Sequence, residues 1–103
     1  MTKMNKTQIK KIFKEIDTEV VKREVQKNAG FIVREDLTMD EFIILDNFDF
    51  NKYELNDKEQ IELISIYNRV FNLKQKRSRC APCWANMLSV LYNLYSAHTK
   101  IIN

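Results

Sequence analysis

Asn56-Asp-Lys-Glu59-Gln-Ile61-Glu-Leu63-Ile64-Ser-Ile66-Tyr67-Asn68-Arg69-Val70-Phe71 is the stretch that decides the fold class. Asn56 and Glu59 have the spacing of a capping box, in which each side chain satisfies a backbone donor that the first helical turn leaves orphaned. Behind them Ile61, Ile64, Tyr67 and Phe71 recur at helical spacing, and Leu63 and Val70 broaden the apolar face. The pattern predicts a helix running to about Leu73. Thr38 and Glu41 repeat the same box ahead of Phe42-Ile-Ile-Leu45, which predicts a second, shorter helix before it.

Upstream, Ile9, Ile12, Phe13, Ile16 and Val20 form a stripe with Lys10, Lys11, Lys14 and Glu15 between them, so a first helix is expected from about Thr7, its N-cap, to Asn28. Gly30, the one glycine, stands where a left-handed residue would stop that helix. Phe31-Ile-Val33 is expected to be extended, as a buried linker or as a short strand in need of a partner. Asp46-Asn-Phe-Asp-Phe-Asn51 mixes acids, aromatics and turn formers and is expected to be an irregular loop reaching Tyr53 or Leu55. Lys74 to Arg79 forms a basic connector. Pro82 then supplies a fixed φ for a first turn, and Trp84, Met87, Leu88, Leu91 and Tyr95 mark one face of a last helix to about Ala97. The expected fold is all-α, a small bundle of about four helices with short connections.

Composition agrees with that reading. A chain of 103 residues bounds one small domain, and 45% apolar with 30% charged residues suits a packed core better than disorder. One glycine and one proline are too few for the turns of sandwiches and barrels or for a Gly-rich phosphate loop. A single histidine excludes any site needing two imidazoles, and no nucleophile elbow, P-loop or dinucleotide fingerprint occurs. The expectation is a protein that is not an enzyme. The first residues lack the apolar core of a secretory signal, and runs such as Phe42 to Leu45 are too short to cross a bilayer, so a protein made in a cell's interior and without a membrane partner is expected. Lys, Asn and Ile account for 33 residues, the bias of an A/T-rich genome.

Net charge of +3 conceals three blocks. Residues 1–34 carry nine Lys/Arg against four acids, residues 35–62 two against ten, and residues 63–103 six with no acid. Such a pattern suits internal neutralisation, pairing of complementary patches between neighbouring subunits, or three solvated faces.

Cys80-Ala-Pro-Cys83 is the one motif with chemical potential. A thiolate there would be stabilised by a helix N-terminus and by Lys76, Arg77 and Arg79. Thioredoxin-like proteins, however, place the motif between a strand and a helix, usually after a tryptophan, whereas Trp84 follows it here. Two thiolates are also half of a tetrahedral zinc site. His98 lies fifteen residues past Cys83, roughly 20 Å along a continuous helix at about 1.5 Å per residue, so zinc would need a second copy's cysteines or a partner's ligands. The third reading is a pair of small, reduced, buried hydrophobes at a helix start. With two cysteines so close together, a long-loop disulfide framework is excluded and reduced thiols are the default expectation.

Arg69, Lys74, Lys76, Arg77 and Arg79, joined by Lys3, Lys6, Lys10, Lys11 and Lys14, form a candidate contact for DNA phosphates or for an acidic partner. Trp84, Tyr92 and Tyr95 share a helix at spacings suited to core packing or an interface, with base stacking as the alternative. His98, near a helix end, is expected to be a favourable dipole partner. Phe48 and Phe50, flanked by Asp46 and Asp49, would anchor in a partner's pocket if exposed and belong to the core if buried.

Ile66-Tyr-Asn-Arg-Val-Phe71, the basic connector, Cys80-x-x-Cys83 and Met87 with Leu88 and Leu91 resemble a pattern in small proteins of tailed phages infecting Bacteroidetes, including crAss-like phages. The likeness covers about the last forty residues and lacks the glycine often found near the cysteines. It implies a phage origin and carries no activity with it. The leading expectation is a structural or assembly protein of the virion, head-associated or part of a connector ring, meeting other virion proteins or copies of itself. The alternative is a small nucleic-acid-binding accessory or regulator that uses the connector.

Overall fold

Three capping boxes divide the chain. The structure, a computed structural model, describes residues 5–30, 32–51, 54–77 and 80–100. Among these, five helices and no strand are present: α1 (Lys6–Glu15), α2 (Thr18–Ala29), α3 (Met39–Asn47), α4 (Asp57–Phe71) and α5 (Ala81–Lys100). Asn5 with Gln8, Thr38 with Glu41 and Asn56 with Glu59 each exchange two side chain to backbone hydrogen bonds of 2.8 to 3.2 Å, opening α1, α3 and α4. The all-helical bundle expected from the sequence is therefore present, with five helices where about four were expected. Phe31, Tyr53, Lys3 and Arg79 lie outside the described residues.

The extra helix comes from a break at Ile16 and Asp17. Both are extended (φ −72°, ψ 138° and φ −95°, ψ 106°), and the Asp17 carboxylate accepts the Glu19 amide at 3.0 Å, starting α2 afresh. A short acid next to β-branched Thr18, Val20 and Val21 favours a cap over helix continuation. The break changes which residues face inward, since Ile9 and Ile12 of α1 and Val21 and Val25 of α2 are buried while Val20 is only half-buried. The first N-cap is Asn5 rather than Thr7, because Asn5 has Gln8 three residues on to return its bond.

Gly30 ends α2 in the left-handed region at φ 74°, with its amide donating to the Gln26 carbonyl at 2.9 Å. Residues 32–38 form no strand. They run as an irregular linker, with Val33 and Leu37 buried and the amides of Arg34 and Glu35 donating to the Val70 carbonyl at 2.7 and 3.1 Å.

α5 is the axis of the core. Met87, Val90, Leu91, Leu94, Tyr95, Ala97 and His98 are buried along it at i, i+3, i+4 and i+7 spacing. It packs chiefly on α2 and also on α3, while α1 packs on α3. Leu63, Ile66, Tyr67, Val70 and Phe71 of α4 complete one continuous apolar cluster. Among the described residues no helix is long and apolar enough to cross a membrane.

Candidate functional site

The charge blocks meet inside the chain. Arg69 of α4 donates to both carboxylate oxygens of Glu41 on α3, from Nε at 2.8 Å and from Nη2, and Nη2 also reaches the Asp36 carbonyl. Burial alone would push the Glu41 carboxyl up, but hydrogen bonds from Arg69 and from the Thr38 backbone outweigh it and hold it below the ordinary carboxylate value. Arg77 donates to Asp57 at 2.8 Å and to Gln60 at 3.1 Å, and Lys22 lies 4.0 Å from Asp36. Each pair joins a basic terminal block to the acidic middle. Of the candidate phosphate contacts, Arg69 and Arg77 are thus already engaged, whereas Lys74 and Lys76 are exposed with no ion pair among the described residues.

The surplus charge sits elsewhere. Lys6, Lys10 and Lys14 recur every four residues on α1 beside Lys11, all exposed and without an ion pair among the described residues. Asp40, Asp49 and Glu54 are exposed in the acidic block and also lack one.

Phe48 and Phe50 fall between the two sequence alternatives. Both are half-buried against the core. Their rings meet edge to face at 5.0 Å, and Phe50 meets Tyr92 the same way at 5.2 Å. Tyr92 is 45% exposed, so the cluster opens onto the surface. Tyr95, one turn on, is buried, stacks on Phe42 at 5.2 Å and donates its hydroxyl to Asp46 at 2.7 Å. Burial, that hydrogen bond and the Asp46 charge raise the Tyr95 phenol above its ordinary value. Beside Phe48 an open groove of about 360 Å³ runs between α3 and α4, floored by Ile43, Ile44 and Leu63 and edged by Lys58, Glu59 and Glu62. The capping boxes place both walls of this groove, and an apolar floor with a charged edge suits one or two side chains of a protein partner.

Trp84 and Cys80 are half-buried, and Cys83 is exposed. The expectation of reduced, buried thiols differs from the structure, in which Cys80 and Cys83 are joined by a disulfide. Positions 80 and 83 bracket the first turn of α5, which brings their Cα atoms to 5.2 Å, within pairing distance. In this state neither sulfur is a thiolate ligand for zinc. Among the described residues no group of three or more His, Cys, Asp or Glu is placed to hold a metal ion.

His98 is not a solvent-facing dipole partner. α5 continues past it to Lys100, and it is 4% exposed with Nδ1 2.8 Å from the Leu94 carbonyl and its ring against Phe13 and Phe42. Burial lowers its pKa, which favours the neutral ring.

Asn68 was missed in the sequence. Its amide donates to the Gln75 carbonyl at 2.9 Å and accepts the Gln75 amide at 2.8 Å, clamping the basic connector to α4. A polar side chain one turn before a helix end, followed by a linker with no structure of its own, was the available signal. No family model, curated protein or solved structure matches the chain.

Proposed function

We propose that the protein is a non-enzymatic assembly protein, a phage virion component that works through contacts with copies of itself and with other virion proteins. The supporting observation is the division of charge. Lys22, Arg69 and Arg77 use up part of the acidic block internally, and the α1 lysines and Asp40, Asp49 and Glu54 have no ion pair among the described residues. Opposite exposed surpluses on one chain suit head-to-tail contact between copies. A protein partner is favoured over DNA because two of the four described members of the connector set, Arg69 and Arg77, already have carboxylate partners.

Sedimentation velocity at low and high salt tests this reading. Association at low ionic strength, reversed at high salt and abolished in a triple variant K6E/K10E/K14E, is the expected result. A monomer at every salt and protein concentration overturns it. Monomers that bind duplex DNA with a steep salt dependence replace it with the nucleic-acid reading.

A further inference from the structure

The Cys80–Cys83 disulfide has no part in the assembly reading, and its placement is not that of a structural staple. A stabilising disulfide gains most by closing a long loop. This one spans three residues at the start of a single helix, where the Trp84 amide already donates to the Cys80 carbonyl at 3.2 Å. Its two ends would stay close without it.

The surroundings favour exchange. Cys83 is exposed, so an incoming thiolate can reach the bond. The Cys83 amide donates to Cys80 Sγ at 3.2 Å, which places that sulfur at the N-terminus of a 20-residue helix. Amides and helix dipole there stabilise a thiolate. No acid occurs in the first turn of α5, nor anywhere in residues 63–103, and Lys74 and Lys76 are exposed on the connector just before. Nothing in that stretch of chain opposes negative charge on Cys80.

We infer that Cys80 and Cys83 form a thiol–disulfide exchange site that accepts two electrons from a dithiol, with Cys83 as the attacked sulfur and Cys80 as the leaving thiolate. One thiolate of the donor attacks Cys83 Sγ, the Cys80–Cys83 bond breaks, and Cys80 departs as a thiolate held by the Cys83 amide. The donor's second thiol, deprotonated, attacks its own sulfur in the mixed disulfide and releases Cys83. The donor leaves as a disulfide, and its two protons end on Cys80 and Cys83 or in solvent. Because α5 holds the two sulfurs on adjacent positions of one turn, the reverse reaction is intramolecular in its closing step.

Trp84, the only tryptophan, follows Cys83 directly and reports the state of the bond, since a disulfide quenches a neighbouring indole. The oxidised full-length protein is mixed with dithiothreitol under native conditions, and Trp84 emission is followed alongside the mass gained on alkylation. In parallel, the rate of Cys80 alkylation by iodoacetamide in Cys83→Ser is measured against pH. Reduction of the folded protein with a rise in emission is expected, together with a Cys80 midpoint at least about one pH unit below the roughly 8.5 of a free cysteine, which is about tenfold more thiolate at neutral pH. Reduction that proceeds only once the protein is unfolded overturns the inference. So does a Cys80 midpoint equal to that of a peptide spanning the same residues, measured in a Cys83→Ser variant whose circular dichroism matches the wild type; if that variant loses structure, wild-type reduction alone decides.

Discussion

Glu41 joins the start of one helix to the end of another through Arg69. Its carboxylate accepts the Thr38 amide at 2.9 Å as the capping-box acid of α3, and the same two oxygens receive Arg69 Nε and Nη2 from the last turn of α4. Replacing Glu41 by Ala should cost about 2 kcal/mol, combining a lost cap with a charge-assisted pair that is discounted because Arg69 is partly exposed. Glu41→Gln, which can keep the cap, should cost about half as much. A double-mutant cycle with Arg69→Ala, read by urea unfolding, should give a coupling of about 1 kcal/mol. Strict additivity would mean that the two side chains do not act together.

Acidification should remove stability in two steps. His98 is held below its ordinary value of 6.5 by burial, against the pull of the Leu94 carbonyl and Asp36. The unfolded chain therefore takes up the proton first, and the contribution of a neutral His98 is complete above about pH 6.5 and lost as pH falls toward its folded value. Glu41 is held below 4.5, so its contribution is present above that pH and is lost as pH falls through the lowered value. Urea midpoints measured from pH 7.5 to 3 should show both slopes. His98→Gln should flatten only the upper one and Glu41→Gln only the lower.

The parts of the fold governed by local chemistry were legible, and those governed by competition between neighbours were not. Thr38 with Glu41 and Asn56 with Glu59 are capping boxes in sequence and in structure, and Gly30 stops a helix at positive φ as its position implied. Ile16 and Asp17 misled because an apolar stripe at helical spacing passes straight through them, while the capping strength of Asp17 acts in three dimensions to turn Val21 and Val25 inward. His98 misled for a related reason. It does lie in the last described turn of α5, as its place in the pattern implied, but Phe13 and Phe42 close over the ring and burial favours its neutral form, which its position in the sequence does not show. Arg69 looked like part of a phosphate contact because a one-dimensional charge count cannot show that Glu41, 28 residues away, lies opposite it.

Tyr92 and Tyr95 share a helix and a ring cluster but should respond differently to the same change. Tyr95→Phe removes the 2.7 Å hydrogen bond to Asp46 from a buried site and should cost about 1 kcal/mol. That corresponds to a fall of about 4 to 8 °C in melting temperature for a domain of this size. Tyr92→Phe keeps the edge contact with Phe50 and exposes no new polar group, so its effect should stay below about 0.5 kcal/mol. Calorimetry on the two variants checks the contrast, and equal shifts would remove Asp46 from the account of Tyr95.

Asn68 controls the connector without belonging to it. Lys74 to Arg77 has no helical hydrogen bonding of its own, and beyond the Leu73 amide, which donates to the Asn68 carbonyl at 3.0 Å where α4 ends, what fixes it is the reciprocal Asn68 and Gln75 pair, the left-handed Asn72 at φ 53° and the exposed Arg77 bonds to Asp57 and Gln60. An exposed ion pair contributes little, so the Asn68 bonds should dominate local order there. Asn68→Ala should therefore lower global stability by only about 1 kcal/mol yet open Lys74 and Lys76 to trypsin several-fold faster. Asn68→Asp, which can still accept the Gln75 amide but cannot donate to its carbonyl, should fall between the two. Cleavage at wild-type rates in both variants would show that the connector is held from elsewhere, leaving Arg77 and the start of α5 as its remaining anchors.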